Sequence, residues 1–230
     1  MNEFEIAYYL SLQQLLLLLS LIDQRPVVGL PSIETPDNWQ RVAMALLQDE
    51  RFRFENENLL MDKNLAKLLM VMKDAEDIYA IQSKQPGPGT YVMYAGKSPV
   101  LLEILPGRRV RLRQTITAEF KELIEALLMP CCPMPEALLT SFPDDKNLKE
   151  CFARWQTPQI SFSDSPSRWN QIKEARGVLE YHTLRIHTRW IWVDDTAAGL
   201  MLRQDQNGTR AELDTVSHRK ALLKELRLET

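Results

Sequence analysis

Residues 110–129, VRLRQTITAEFKELIEALLM, pass from a β-like run into a helix with no loop between them. Val110 to Ile116 reads as a strand. Thr117 stands where a helix needs an N-cap, and Phe120, Leu123, Ile124, Leu127 and Leu128 follow at the spacing that lines one helical face. The helix is expected to stop at Met129, because Pro130 disfavours helical backbone in the residue before it.

Three further β-like runs precede this unit: Ile78 to Gln82, Tyr91 to Ala95 and Val100 to Leu105. Gly96-Lys97 and Pro106-Gly107 suit tight turns between them, which predicts an antiparallel meander. Gln85-Pro86-Gly87-Pro88-Gly89 is too long and stiff for a two-residue hairpin, so Lys84 to Thr90 is expected to project as a finger. Nearer the N-terminus, Phe4, Ile6, Tyr8 and Leu10 alternate as in a half-buried strand. Ser11 and Gln14 then form a capping box opening a helix to about Ile22. Thr35-Pro36-Asp37 opens a second helix to about Asp49 with Trp39 facing inward, and Asp62 caps a third, ended by Asp77, with Leu65, Leu68, Leu69 and Met72 on one face.

Downstream, Cys131 to Pro158 holds Pro133, Pro135 and Pro143 and a helical stretch near Leu148 to Trp155. Ser165-Pro166-Ser167-Arg168-Trp169 repeats the cap, proline and tryptophan arrangement of Thr35 to Trp39, and its helix is expected to end at Gly177. A second meander follows: Val178 to His187, Trp190 to Val193, Leu200 to Gln204 and Arg210 to Val216, with Asn207-Gly208 as a hairpin turn. Ser217 is read as the cap of a final helix carrying Leu222, Leu223 and Leu226. The caps Ser11, Thr117 and Ser217 recur roughly every hundred residues, which suggests a duplicated unit. The expected fold is α/β of the α+β type: a quasi-twofold duplicated unit with a central antiparallel sheet flanked by helical bundles. Residues 1–130 make the N-terminal half (strand, three helices, meander, helix) and 131–230 the C-terminal half (helices, meander, helix), packed as one body.

Composition narrows the function. The 230 residues are 45% hydrophobic and 26% charged, values typical of an ordered globular chain. Net charge is −3, with Lys and Arg scattered among acids, so no basic stripe invites nucleic acid. The three cysteines, Cys131, Cys132 and Cys151, read as reduced thiols in a cytoplasmic protein. Leu15 to Leu19 is too short to span a bilayer and is preceded by Glu3 and Glu5 without a Lys or Arg. It reads as a buried helix, and neither export nor membrane insertion is expected.

No catalytic, cofactor or metal site is expected. His182 and His187 lie five apart on one predicted strand, which sends them to opposite faces, and Cys131-Cys132 lacks the spacer of a zinc knuckle. No glycine loop fits a phosphate. Asp144-Asp145 and Asp194-Asp195 read as solvated turn acids, His218 adjoins a cap, and Trp190 and Trp192 share one face and read as core. Two candidate partner-binding segments remain. One is the finger, with Lys84, Gln85, Pro86 and Pro88, whose prolines reduce the entropy lost on docking. The other is Met134 to Phe142, with Leu138, Leu139 and Phe142 as an apolar surface.

Several phrases in order resemble the EspG family, the cytosolic chaperones of type VII (ESX) secretion. They are the leucine-rich first helix leading to Arg25-Pro26 and Gly29-Leu30-Pro31, then Asn64 to Val71, then Tyr94-Ala95-Gly96 with Val100-Leu101. Arg109 to Arg113 running into Phe120 and Glu122 to Pro130 completes the likeness, which covers nearly the whole chain. The resemblance implies a quasi-twofold fold and a non-enzymatic chaperone or adaptor that keeps a helical secretion substrate soluble for export. It also implies substrate contact through a sheet hairpin loop, here Lys84 to Thr90, and through the C-terminal helical part. The chain is poorer in Gly and Ala than typical mycobacterial members, so the implied client is a small helical-hairpin protein, WXG100-like or related. An enzyme with a concealed pocket and a structural subunit of a larger assembly are the alternative readings.

Overall fold

A computed structural model of the chain describes residues 6–23, 27–30, 39–56, 58–83, 89–129, 175–193, 200–206 and 208–228. They fall into two compact units. The first draws on Met1–Tyr79 and Thr90–Ile116, the second on Ala80–Gly89 and Thr117–Thr230.

The first unit opens with β1 (Ala7–Ser11), which runs directly into α1 (Leu12–Ile22). The predicted capping box is present: Ser11 Oγ accepts from the Gln14 amide at 3.1 Å, and Gln14 Oε1 accepts from the Ser11 amide at 2.8 Å. Two of the four unpaired amides at a helix start are commonly satisfied in such ways, so strand can pass to helix without a loop. Leu12, Leu15, Leu18 and Leu19 form the buried stripe of α1. Next come α2 (Trp39–Leu47), the hairpin β2 (Phe52–Glu55) and β3 (Asn58–Met61), and α3 (Lys63–Asp74). Asp62 caps α3 by accepting from the Asn64 and Leu65 amides, and Leu65, Leu68, Leu69 and Met72 are buried, as their spacing predicts. The β2–β3 hairpin is absent from the sequence reading. Its turn uses Asn56 at φ 49°, a left-handed conformation that asparagine tolerates better than most residues.

β4 (Ile78–Ser83) straddles the division between the units. In the first unit β5 (Gly89–Tyr94), β6 (Val100–Leu105) and β7 (Arg109–Gln114) form an antiparallel meander, and β1 adds to β7, giving the order β1-β7-β6-β5. Tyr8, Leu112, Leu102 and Val92 stand opposite one another across these four strands and are all buried. Helices α1 and α3 lie against β7, and α3 also against β6.

The second unit holds α4 (Thr117–Leu128), β8 (Ala175–His182), β9 (His187–Val193), β10 (Leu200–Asp205), β11 (Gly208–Leu213) and α5 (Val216–Glu225). Strands β8 to β11 form a consecutive antiparallel meander. Four strands followed by a helix therefore occur twice along the chain, and the fold is α+β with a large antiparallel sheet component. Trp190 and Trp192 are buried core residues. Arg203 lies over the Trp190 ring at 5.6 Å and pairs bidentately with Glu225 of α5 at 2.6 and 2.7 Å. Because α4 packs on β8, it groups with the second unit, so the compact units divide the chain differently from a cut at Pro130.

Three local expectations are corrected. Gly177 does not end a helix but lies inside β8, where the backbone of Gln82 and the side chain of Leu128 approach too closely for any Cβ. The last helix is capped by Thr215, whose Oγ1 accepts from the His218 amide at 3.2 Å, and Ser217 lies in its first turn. The run Val178 to His187 is not one strand. It reverses after His182, and β9 begins at His187. The helices predicted near Leu148 to Trp155 and after Ser165 lie outside the described residues.

Candidate functional site

Lys84, Gln85, Pro86 and Pro88 of the predicted finger, and Leu138, Leu139 and Phe142 of the second candidate surface, lie outside the described residues. The strands flanking the finger are described: β4 ends at the buried Ser83, and β5 begins at Gly89. Gly89 and Thr90, read as finger residues, are strand residues.

A polar constellation assembled by the described residues sits at the closed end of the β8–β9 hairpin. Thr183 makes the turn. Its amide donates to the Ile186 carbonyl at 2.8 Å, and its Oγ1 accepts from the Ile186 amide at 2.9 Å and the Arg185 amide at 3.2 Å. A threonine side chain thus does the work usually assigned to glycine or asparagine in a two-residue turn. The register beyond the turn pairs His182 with His187 and Glu180 with Arg189. Residues two apart on a strand share a face, and directly paired residues share it across strands, so these four form one square patch.

The two imidazoles stack with centroids 3.8 Å apart and planes at 25°. Glu180 Oε2 lies 3.2 Å from His182 Nε2 and 4.0 Å from His187 Nε2, while Oε1 accepts from Arg189 Nε at 2.6 Å. Arg189 is buried and the other three are half-buried. Burial by itself would push the Glu180 carboxyl up, but the His182 hydrogen bond and the Arg189 charge prevail and bring it down to about 2. Burial, reinforced by the neighbouring His182, lowers the His187 imidazole to about 4, so it is neutral at pH 7. Glu180, His182 and His187 present ligating atoms that all lie within 4.8 Å of one another. The expectation that the two histidines face opposite ways fails because it assumed an unbroken strand. The missed signal is Thr183, a residue able to turn the chain through its own hydroxyl.

The other face of the same hairpin is apolar: Leu179, Tyr181 and Trp190 are buried there. The turn itself exposes Leu184 (89%) and Ile186 (49%). No described helix is long and apolar enough to cross a membrane.

No family model matches the sequence, and no curated protein matches it. Among solved structures the whole chain finds a counterpart. It is similar in fold to the chaperone EspG5. That structure is of the Mycobacterium tuberculosis type VII secretion system chaperone EspG5 in complex with a PE25-PPE41 dimer. The match covers 97% of this chain and 95% of that one, with a TM-score of 0.54 at 10% sequence identity. At that identity the likeness to EspG5 is one of fold, and it agrees with the α+β architecture and the antiparallel sheet described above.

Proposed function

We propose that this chain is a non-enzymatic chaperone or adaptor that binds a helical secretion substrate in the cytoplasm and keeps it soluble for export through a type VII system. The observation that carries this reading is the end-to-end fold similarity to EspG5, whose solved complex contains a PE-PPE dimer. A fold says less than a site, so the reading rests also on the ordered phrases, from the first helix to Pro130, that resemble the EspG family. In this reading the client is a small helical-hairpin protein, WXG100-like or related, and the contact surfaces are the finger after β4 and the segment around Leu138 to Phe142. Covering an exposed apolar helix end removes the surface through which such clients would aggregate. A finger stiffened by Pro86 and Pro88 loses little entropy on docking.

The test is co-expression with the small helical proteins encoded beside this chain, followed by size-exclusion chromatography. A soluble one-to-one complex is expected. Failure of every such protein to co-elute at micromolar concentration would reject the reading.

A further inference from the structure

We infer that Glu180, His182 and His187 form a binding site for a divalent transition-metal ion of the zinc class at the closed end of the β8–β9 hairpin. The inference is independent of the chaperone reading. Its first support is placement. The ligating residues come from two directly paired strands next to a two-residue turn, so their backbones are fixed by the ladder. The Thr183–Ile186 hydrogen bond makes His182–His187 the next pair along, of the non-hydrogen-bonded kind, in which side chains approach most closely.

Spacing is the second support. Ligands about 2.0–2.2 Å from a tetrahedral zinc lie roughly 3.3 Å from one another. The carboxylate oxygen already stands 3.2 Å and 4.0 Å from the two Nε2 atoms. To bring both nitrogens onto a common ion the two rings must tilt out of their present stack, a side-chain rotation that leaves the paired backbone in place.

The third support is chemistry. Arg189 holds Glu180 by Oε1, which leaves Oε2 directed at the imidazoles and fixes the carboxylate from behind, as outer-shell partners do in metal sites. The Glu180–Arg189 pair carries no net charge, so attraction for a cation must come from coordination by the imidazole nitrogens rather than from accumulated negative charge. That favours zinc, copper or nickel over magnesium or calcium, which prefer oxygen ligands. Two imidazoles and one carboxylate leave a fourth position for water on the exposed side. A bound ion would tie β8 to β9 and stiffen the turn that exposes Leu184 and Ile186.

The experiment uses the full chain, freed of metal by a chelator, and titrates zinc in competition with a chromophoric zinc chelator. One zinc per chain is expected, with magnesium unable to displace it. His182→Gln and His187→Gln should each weaken binding by about tenfold or more, while His218→Gln leaves it unchanged. Glu180→Gln is unsuitable for this purpose because it also strands Arg189. X-ray absorption on the zinc-loaded native chain gives a readout that does not depend on any variant folding. Two imidazoles with oxygen donors are expected. Sulfur ligands would place the ion on Cys131, Cys132 or Cys151 and overturn the inference, as would the absence of binding or wild-type affinity in both histidine variants.

Discussion

Gly177 in β8 faces the Leu128 side chain at the end of α4, and a Cβ built on it would stand 2.6 Å from the Gln82 carbonyl oxygen. Gly177→Ala should therefore destabilise the protein by roughly 1–3 kcal/mol, the usual cost of overpacking. Leu128→Ala removes the side chain but not the carbonyl, so combining the two should not restore stability. Urea denaturation of the two single variants and the double variant checks this. Recovery in the double variant would show that only the leucine is in the way.

Thr215 and Ser217 make opposite predictions about the start of α5. The Thr215 hydroxyl accepts from the His218 amide, so Thr215→Ala should cost about 1 kcal/mol, as loss of a cap does. Ser217→Ala should cost less than half of that. Thermal unfolding ranks the two, and the reverse ranking would move the cap to Ser217.

Glu180 and Arg189 form a pair in which the arginine side chain is only 5% exposed. Removing one partner leaves the other charge poorly solvated, so Glu180→Gln should cost roughly 1–3 kcal/mol. Adding Arg189→Met should recover most of that loss, because no buried charge then remains. A double-mutant cycle by chemical denaturation in the presence of a chelator measures the coupling. Independent, additive effects would mean that the pair contributes little.

Tyr8 donates to Asp62 Oδ1 at 2.5 Å, and burial together with that hydrogen bond pushes its phenol up to about 12. The folded value lies above the ordinary 10.0, so the associated stability is fully present below pH 10 and is lost as pH rises through 12. Stability should fall with a slope of up to about 1.4 kcal/mol per pH unit in that window. Tyr8→Phe should be less stable at neutral pH and lack this component of the alkaline slope. Urea denaturation across the alkaline range compares the two, and parallel profiles would remove Tyr8 as the cause.

Much of the fold was legible wherever a signal is local. The Ser11–Gln14 capping box, the Asp62 cap and the buried face of α3 all depend on residues within one or two helical turns. The burial of Trp190 and Trp192 followed from their alternation along β9. Signals failed where a turn used an unusual residue. Thr183 reverses the chain without glycine, proline or asparagine, so the sequence carries the first strand on to His187, places the reversal just before Trp190 and hides the histidine pair. Gly177 suggests a helix end because glycine commonly closes helices, whereas here close backbone approach requires it.

The sequence alone determined two runs of four strands, each followed by a helix, and the buried face of α3. Periodicity and capping act over a few residues and need no knowledge of distant neighbours. Only the tertiary structure decided that His182 faces His187 across a turn, with Glu180 held beside them by Arg189. Side-chain partners across a sheet are set by register, and register depends on where the chain reverses. A shift of one residue at Thr183 would have sent the same side chains to the other face.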